Sequence, residues 1–164
     1  MIWACFCGNK LGPLAFIDGA VNSRVYISVL QAKLIPFTNA LDEDGTADMV
    51  FQQDNAKVHT SKLTTAWLTD SAKKNGFSIM VWPPYSPDMN PIEELWAYLK
   101  AELHRRYPDT WSLRGSNDVI KQKLRDRLWE VWWDIGEEVL NGLIDSMPHR
   151  VKALIAARGW YTKY

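Results

Sequence analysis

The chain has 164 residues, of which 47% are hydrophobic and 23% are charged, a composition typical of one globular domain with a buried core. Basic and acidic side chains balance at 19 each, which excludes a strong overall positive field of the kind that attracts nucleic acid. The sequence shows no secretion signal and no apolar run of about 18 residues, so neither secretion nor membrane insertion is expected.

Short apolar runs bounded by turn residues predict strands, and runs with a repeat of about 3.6 residues predict helices. The first predicted strand carries Cys5 and Cys7, which are too few for a structural zinc site and are expected to be buried free thiols, as suits an intracellular protein. In chain order, the first half contains a strand over 1–6, a turn from Gly8 to Gly12, a strand over 14–17, a helix from Asn22 or Ser23 to Leu34 with Pro36 beyond its end, a solvated acidic loop over 41–45, a strand over 47–53, a helix over 60–74 and a strand over 78–82.

The second half of the chain is predicted to be helical. A helix opens at Asn90 and Pro91, a break follows at Pro108, and two helices run over 120–133 and 136–157, the second interrupted by Pro148. Strands and helices in this order indicate an α/β fold with a mixed sheet. We divide the chain into a sheet-containing core over 1–107 and a helical C-terminal extension of the same domain over 108–164.

Asp54 directly follows the predicted strand over 47–53, where its carboxylate meets water and could bind a metal ion. The alternative is structural, because an aspartate between a strand and a helix commonly forms a cap or an Asx-turn. Asn55 could orient a carboxylate by a hydrogen bond. His59 lies near the start of the next helix and is either an ordinary surface histidine or a contact to phosphate or to a metal-bound water.

Glu93 is the second candidate carboxylate. Asn90, Pro91 and Glu93 fit the N-cap, first and third positions of a helix, which is also a capping-box pattern and hence a structural alternative. Asn90 could also orient a carboxylate. Helical geometry places Glu93 on the flank of the apolar face and Glu94 nearly opposite it. We therefore expect Glu93 to reach the sheet edge and Glu94 to face solvent.

Two further groups of residues have open interpretations. A cationic group at the end of the same helix either balances the helix dipole or contacts DNA phosphates. Tryptophans in periodic apolar segments are predicted to be mostly core rather than base-stacking platforms. The cationic group is Lys100, His104, Arg105 and Arg106, and the tryptophans are Trp82, Trp96, Trp129, Trp132, Trp133 and Trp160.

The phrases around both carboxylates resemble the catalytic domain of Tc1/mariner-type transposases, members of the DDE superfamily of RNase H-like endonucleases. The matching residues are Asp54, Asn55 and His59, then Ser86, Pro87, Asp88, Asn90, Pro91, Glu93, Leu95 and Trp96, and the likeness extends to both ends of the chain. The resemblance implies an RNase H-like mixed sheet flanked by helices. It makes Asp54 and Glu93 the second and third members of a catalytic triad that binds Mg²⁺ or Mn²⁺.

The same resemblance implies that residues 1–107 are a partial DDE catalytic core. It also implies that the partner is DNA, that the protein is nuclear in a eukaryote and that no small-molecule cofactor is used. It leaves open whether the protein forms a homodimer. In the family, the first catalytic aspartate lies on a central strand upstream of the strand with which this chain begins. We therefore expect that strand, its aspartate and the N-terminal DNA-recognition module to be missing.

Loss of a central strand would leave a gapped sheet, make the strands over 1–6 and 47–53 pair directly, or require a strand from a partner. Three functions follow from this reading. The chain is part of an enzyme for DNA cleavage, strand transfer and integration that is inactive without the upstream segment. Alternatively, it is a non-catalytic nucleic-acid-binding or assembly remnant, or a decayed gene fragment.

Overall fold

The structure is a computed structural model that describes residues 1–42, 46, 48–160 and 162. The acidic loop predicted over 41–45 lies mostly outside the described residues, as does the first residue of the strand predicted over 47–53. The elements are β1 (Ile2–Cys7), β2 (Lys10–Phe16), α1 (Ser23–Val29), a π-helical turn (Leu30–Leu34), α2 (Ile35–Leu41), β3 (Met49–Phe51), α3 (Lys62–Asn75), β4 (Phe77–Ile79), a 3₁₀ turn (Pro87–Met89), α4 (Pro91–Arg106), a second 3₁₀ turn (Pro108–Ser112), α5 (Asn117–Trp133) and α6 (Glu137–Ala156).

The chain divides into two compact units, one made of Met1–Cys5 and Ala15–Pro87 and the other of Phe6–Leu14 and Asp88–Tyr164. The sequence instead suggests a boundary after residue 107. The difference arises because α4 packs against α5, α6 and the second 3₁₀ turn, so its residues group with the helices that follow them. That the core and the extension form one domain stays a prediction.

The strands of the described residues form two separate two-stranded sheets, β1 with β2 and β3 with β4. β1 and β2 make a hairpin whose turn contains Gly8 at φ +54°, a conformation that favours glycine. The turn is shorter than predicted, since Gly12 already belongs to β2. At the open end, Met1 and Ile17 exchange two main-chain hydrogen bonds of 2.8 and 2.9 Å. In the described residues β1 does not pair with β3, so the direct-pairing alternative is wrong, while the gapped sheet and the partner strand both stay predictions.

β3 and β4 run parallel, with Met49 opposite Phe77 and Phe51 opposite Ile79. Both strands are shorter than predicted, and β4 ends before residues 80–82. A parallel pair needs a crossover connection, and α3 supplies it. Ser61 caps α3, because its Oγ accepts a hydrogen bond from the N–H of Thr64 at 3.2 Å. α3 therefore begins later than the predicted residue 60.

The expectation that Pro36 lies beyond the end of its helix is wrong. α1 begins at the Asn22 cap, passes through the π-helical turn and continues as α2, which contains Pro36. In the wider turn, the N–H of Ile35 donates to the carbonyl of Leu30, five residues back. A proline in a regular α-helix clashes with the carbonyl four residues before it, and the wider turn relieves that clash.

The buried cluster of the first unit joins α1, the π-helical turn and α3. Tyr26, Leu30, Leu34 and Leu68 are all at most 2% exposed. Four partly buried side chains pack against this cluster, those of Trp3, Val21, Phe51 and Trp67. The strand that carries Asp54 at its exit is thus fixed to a helical core.

In the second unit, Trp132 of α5 is fully buried, and its indole N–H donates to the carbonyl of Gly12 at 2.9 Å. The prediction of core tryptophans is therefore right for Trp132, whereas Trp82 and Trp96 are only half-buried. It is wrong for Trp129 and Trp133, each 47% exposed, and for Trp160, 73% exposed. Trp129 and Trp133 are four residues apart on α5, so they contact each other along its outer side at 5.7 Å between ring centroids.

Two smaller predictions also need correction. Pro148 lies inside α6 and does not interrupt it, because Pro148 and Ile144 are both exposed and water can solvate the carbonyl that the proline leaves without an N–H partner. Cys5 and Cys7 are free thiols as predicted, but neither is buried: Cys5 is half-buried, and Cys7 is exposed because it lies beside the hairpin turn. In the described residues, every helix is too short or too polar to span a bilayer.

Candidate functional site

Asp54 lies three residues beyond the end of β3, and not directly after the strand as predicted, and its carboxylate is partly held by the chain. Its Oδ1 accepts a hydrogen bond from the N–H of Ala56 at 2.9 Å, which is the Asx-turn of the structural alternative. The same oxygen lies 2.6 Å from Nδ1 of His59. Oδ2 makes no hydrogen bond with any described residue, and the side chain is 48% exposed. The Asx-turn therefore fixes the carboxylate and leaves one oxygen available to a ligand.

His59 is held on three sides. It lies in a turn before α3, where its N–H donates to the carbonyl of Ala56 at 2.8 Å, and not in the helix itself. Its ring stacks on Tyr26 at 4.4 Å between ring centroids. The Tyr26 hydroxyl donates to Oε1 of Gln53 at 2.6 Å, and Nε2 of Gln53 donates to the carbonyl of His59 at 3.5 Å. Burial raises the pKa of Tyr26, so its hydroxyl stays protonated as a donor.

Asn55 does not contact a carboxylate. Its side-chain amide donates to the carbonyls of Trp82 and Pro83 at 3.0 and 3.3 Å. These bonds join the segment after β3 to the segment after β4. Asn55 therefore stabilises the chain next to Asp54, a role different from the predicted hydrogen bond to a carboxylate.

Glu93 stands at the predicted place, in the first turn of α4, and is exposed. Asn90 is the N-cap residue and Pro91 the first helical residue, as expected. The Asn90 side chain makes no capping hydrogen bond, so the capping box that would explain Glu93 structurally is not formed. The carboxylate of Glu93 makes no ion pair with the described residues.

Glu94 is 45% exposed, in agreement with the prediction that it faces solvent, but it also makes an ion pair that was not predicted. Its Oε1 lies 2.7 Å from Nη2 of Arg150, whose side chain is only 1% exposed. Helical spacing placed Glu94 away from the apolar face of α4. It could not show that an arginine of α6 lies next to Glu94. Sequence reasoning missed Arg150. The one signal was its place in the apolar repeat of α6, seven residues after Leu143.

The cationic group at the end of α4 is only partly available. Lys100 and His104 are exposed. Arg105 pairs with Glu102 at 2.8 Å and stays 66% exposed, and this hydrogen bond raises the pKa of Arg105. Arg106 contacts both Glu102 and Asp134 and is 24% exposed, with the hydrogen bond to Asp134 as the main cause of its raised pKa. Arg106 thus ties α4 to the end of α5.

The structure brings Asp54, Asn55 and His59 into one local network of the first unit, whereas Asn90, Glu93 and the cationic group belong to the second unit. Within the described part of the chain, no three histidine, cysteine, aspartate or glutamate side chains form a group that could hold a metal ion. The carboxylate oxygens of Asp54 and Glu93 are nevertheless the hard donors that Mg²⁺ and Mn²⁺ prefer.

A family model described as DDE superfamily endonuclease matches residues 1–114. The chain is 38% identical over 164 residues to the Tcb2 transposase of Caenorhabditis briggsae, covering all of this chain and 54% of that protein. It is 36% identical to the Tc1 transposase of Caenorhabditis elegans with the same coverage, and 32% identical to the Tc3 transposase of that species, covering 97% of this chain and 44% of that protein. The chain therefore spans about half the length of these relatives.

Solved structures agree on the fold. The Mos1 transposase catalytic domain with raltegravir and Mg superimposes with a TM-score of 0.74 at 18% identity, covering 99% of this chain and 76% of that one. The Mos1 mariner paired end complex with Mn gives a TM-score of 0.67 at 17% identity, covering 99% of this chain and 44% of that one. The predicted RNase H-like α/β fold is confirmed.

Proposed function

The chain belongs to the DDE superfamily of endonucleases, among the Tc1/mariner-type transposases, and we propose that it supplies part of a catalytic domain for metal-dependent DNA cleavage and strand transfer. The observation that carries this proposal is the carboxylate of Asp54. It lies at a strand exit, oriented through Oδ1 by Ala56 and His59, with Oδ2 open. The Asx-turn accounts for the contact with Ala56, and the contact with His59 is additional to it.

Asp54 and Glu93 would hold Mg²⁺ or Mn²⁺ through oxygen atoms. When bound, such ions activate water or a 3′-hydroxyl and stabilise the leaving oxygen of a phosphodiester. Structures of Mos1 have been solved with Mg and with Mn, which supports this choice of metal. The residues of this chain act by orientation: His59 and the Ala56 N–H fix the carboxylate of Asp54, and Asn90, buried at the start of α4, is proposed to orient Glu93.

DNA is the proposed partner. The exposed side chains of Lys100, His104 and Arg105 in the last turns of α4 are suited to contact phosphates. Arg105 is paired with Glu102 but stays 66% exposed, whereas Arg106 is paired with both Glu102 and Asp134 and is only 24% exposed. The Mos1 mariner transposase, a structural relative, has been solved as a paired end complex, which supports this proposal. Because the sequence relatives come from nematodes, we propose a nuclear location. A homodimer is also proposed.

Calorimetric titration with Mn²⁺ tests the metal site. Asp54→Asn and Glu93→Gln are each expected to lower Mn²⁺ affinity by at least about 10-fold. Asp70→Asn is the matched control, because Asp70 is an exposed aspartate of the same unit, paired only with Lys74 among the described residues. Equal Mn²⁺ binding by the three variants and the parent chain would contradict the proposal.

Cleavage itself is tested with supercoiled plasmid in Mn²⁺. A fusion that places the family's upstream strand and its aspartate before Met1 is expected to nick the plasmid to the open circle. The same fusion with Asp54→Asn is expected to be inactive. A folded fusion that binds Mn²⁺ but never nicks DNA would favour a non-catalytic function.

A further inference from the structure

Arg150 is the most deeply buried charged residue among the described residues. Its side chain is 1% exposed, although it sits in α6 among positions otherwise taken by apolar residues. A buried guanidinium costs free energy unless several polar groups compensate it. Such a residue therefore needs a reason beyond packing, and its contacts indicate one.

The guanidinium of Arg150 reaches three different segments. Nε donates to Oγ of Ser146, one turn back on α6, at 2.8 Å. Nη1 donates to the carbonyl of Asp88, in the 3₁₀ turn just before α4, at 2.8 Å. Nη2 lies 2.7 Å from Oε1 of Glu94, in the first turn of α4. The contacts with Asp88 and Glu94 thus fall on either side of Glu93 along the chain.

The start of α4 lacks one local contact, because the Asn90 side chain makes no capping hydrogen bond there. The carboxylate of Asp88 accepts a further hydrogen bond from the Thr162 hydroxyl at 2.7 Å, so the C-terminal segment also holds this turn. The segment from Asp88 to Glu94 is thus held in part by residues that follow it by more than 50 positions.

We propose that Arg150 is a positioning residue for Glu93: it binds the turn before α4 and holds one carboxylate oxygen of the 45% exposed Glu94 in an ion pair, so that Glu93 is the glutamate of the two that is oriented toward a divalent metal ion. Neighbouring residues of a helix point about 100° apart, so fixing Glu94 on Arg150 also fixes the direction of Glu93. This inference rests on the proposed function, because it assumes that Glu93 is a metal ligand.

The test uses Mn²⁺ titration of the 164-residue chain, with folding checked by circular dichroism and thermal unfolding. Arg150→Met removes the charge at similar length, and Glu94→Gln removes the ion pair but keeps the contact with Asp88. Arg150→Lys keeps the charge but cannot reach three segments with one ammonium group. Arg127→Met is the matched control, because Arg127 is 17% exposed in the same unit and pairs with Asp109 at 2.9 Å.

We expect Mn²⁺ affinity to fall about 10-fold in Arg150→Met and in Glu94→Gln, and less in Arg150→Lys. Because the two residues act as a pair, the double variant should bind Mn²⁺ no more weakly than either single variant. Arg127→Met should bind like the parent chain. The electron paramagnetic resonance spectrum of bound Mn²⁺ should change in the Arg150 and Glu94 variants and stay unchanged in the control.

Higher Mn²⁺ affinity in Arg150→Met would overturn the proposal, because it would mean that Arg150 competes with the metal for Glu94. Unchanged affinity in folded Arg150→Lys and Glu94→Gln would overturn it as well, and these two variants decide the matter if Arg150→Met does not fold. Glu93→Gln separates this failure from that of the proposed function. If Glu93→Gln lowers the affinity and the Arg150 variants do not, only the positioning role is wrong; if Glu93→Gln has no effect, both proposals fall.

Discussion

Nδ1 of His59 lies 2.6 Å from Oδ1 of Asp54, and the histidine ring is held against Tyr26 on its other side. This contact joins the exit of β3 to the buried cluster of α1 and α3. The orientation of a half-exposed carboxylate is therefore determined by the core of the first unit. Substitutions in that core, and not only substitutions of Asp54, should therefore change the affinity for a metal ion.

His59→Phe tests that dependence, because phenylalanine keeps a ring against Tyr26 but loses the contact with Asp54. We expect Mn²⁺ affinity to fall about 10-fold and the free energy of unfolding to fall by about 1 kcal/mol. Titration calorimetry and urea unfolding measure the two effects. His149→Phe, an exposed site on α6, is the control. Unchanged Mn²⁺ binding in a folded His59→Phe variant would show that Asp54 needs no support from the ring.

Trp132→Phe tests the core of the second unit. The change removes the indole N–H that binds the carbonyl of Gly12 and leaves a small cavity at a fully buried site. The free energy of unfolding should fall by about 2 kcal/mol, measured by urea denaturation. Trp129→Phe, at a half-exposed site on the same helix, should change it by less than about 0.5 kcal/mol. Similar losses in both variants would mean that α5 packs by its other side.

The cations of α4 should separate into DNA contacts and structural residues. Lys100→Gln and Arg105→Gln are each expected to weaken duplex binding and to reduce the slope of log K against log salt by about 1, measured by fluorescence anisotropy. Arg106→Gln should leave that slope unchanged and lower the melting temperature, since Arg106 is paired with Glu102 and Asp134. Lys121→Gln, exposed on α5, is the control. An unchanged slope in Lys100→Gln and Arg105→Gln would mean that Lys100 and Arg105 do not contact DNA phosphates.

Features set by neighbouring residues could be predicted from the sequence. Asp54 after a strand, Asn90 and Pro91 at a helix start, and the end of α3 before Gly76 all follow from turn and capping chemistry that acts within a few positions. The resemblance to a family then supplied the fold, which superposition on solved relatives confirms.

Features that depend on distant parts of the chain could not be predicted. The pair of Glu94 and Arg150 joins residues 56 positions apart, so neither helix alone indicates it. The outward position of Trp133 depends on which side of α5 meets α4, and an apolar repeat with tryptophans on two sides does not decide that. The continuation past Pro36 depends on a wider helical turn, which sequence rules for proline treat as an ending.

The π-helical turn at Leu30–Leu34 has a consequence for how this chain tolerates changes of length. A π-helical turn holds about one residue more than an α-helical turn, so deleting one residue there would let α1 continue into α2 as a regular α-helix, with the buried Thr38 on nearly the same side. The deletion would, however, bring back the clash between the ring of Pro36 and the carbonyl four residues before it. The extra residue of the turn therefore accommodates the proline, and a one-residue deletion there should be better tolerated when Pro36 is replaced by alanine.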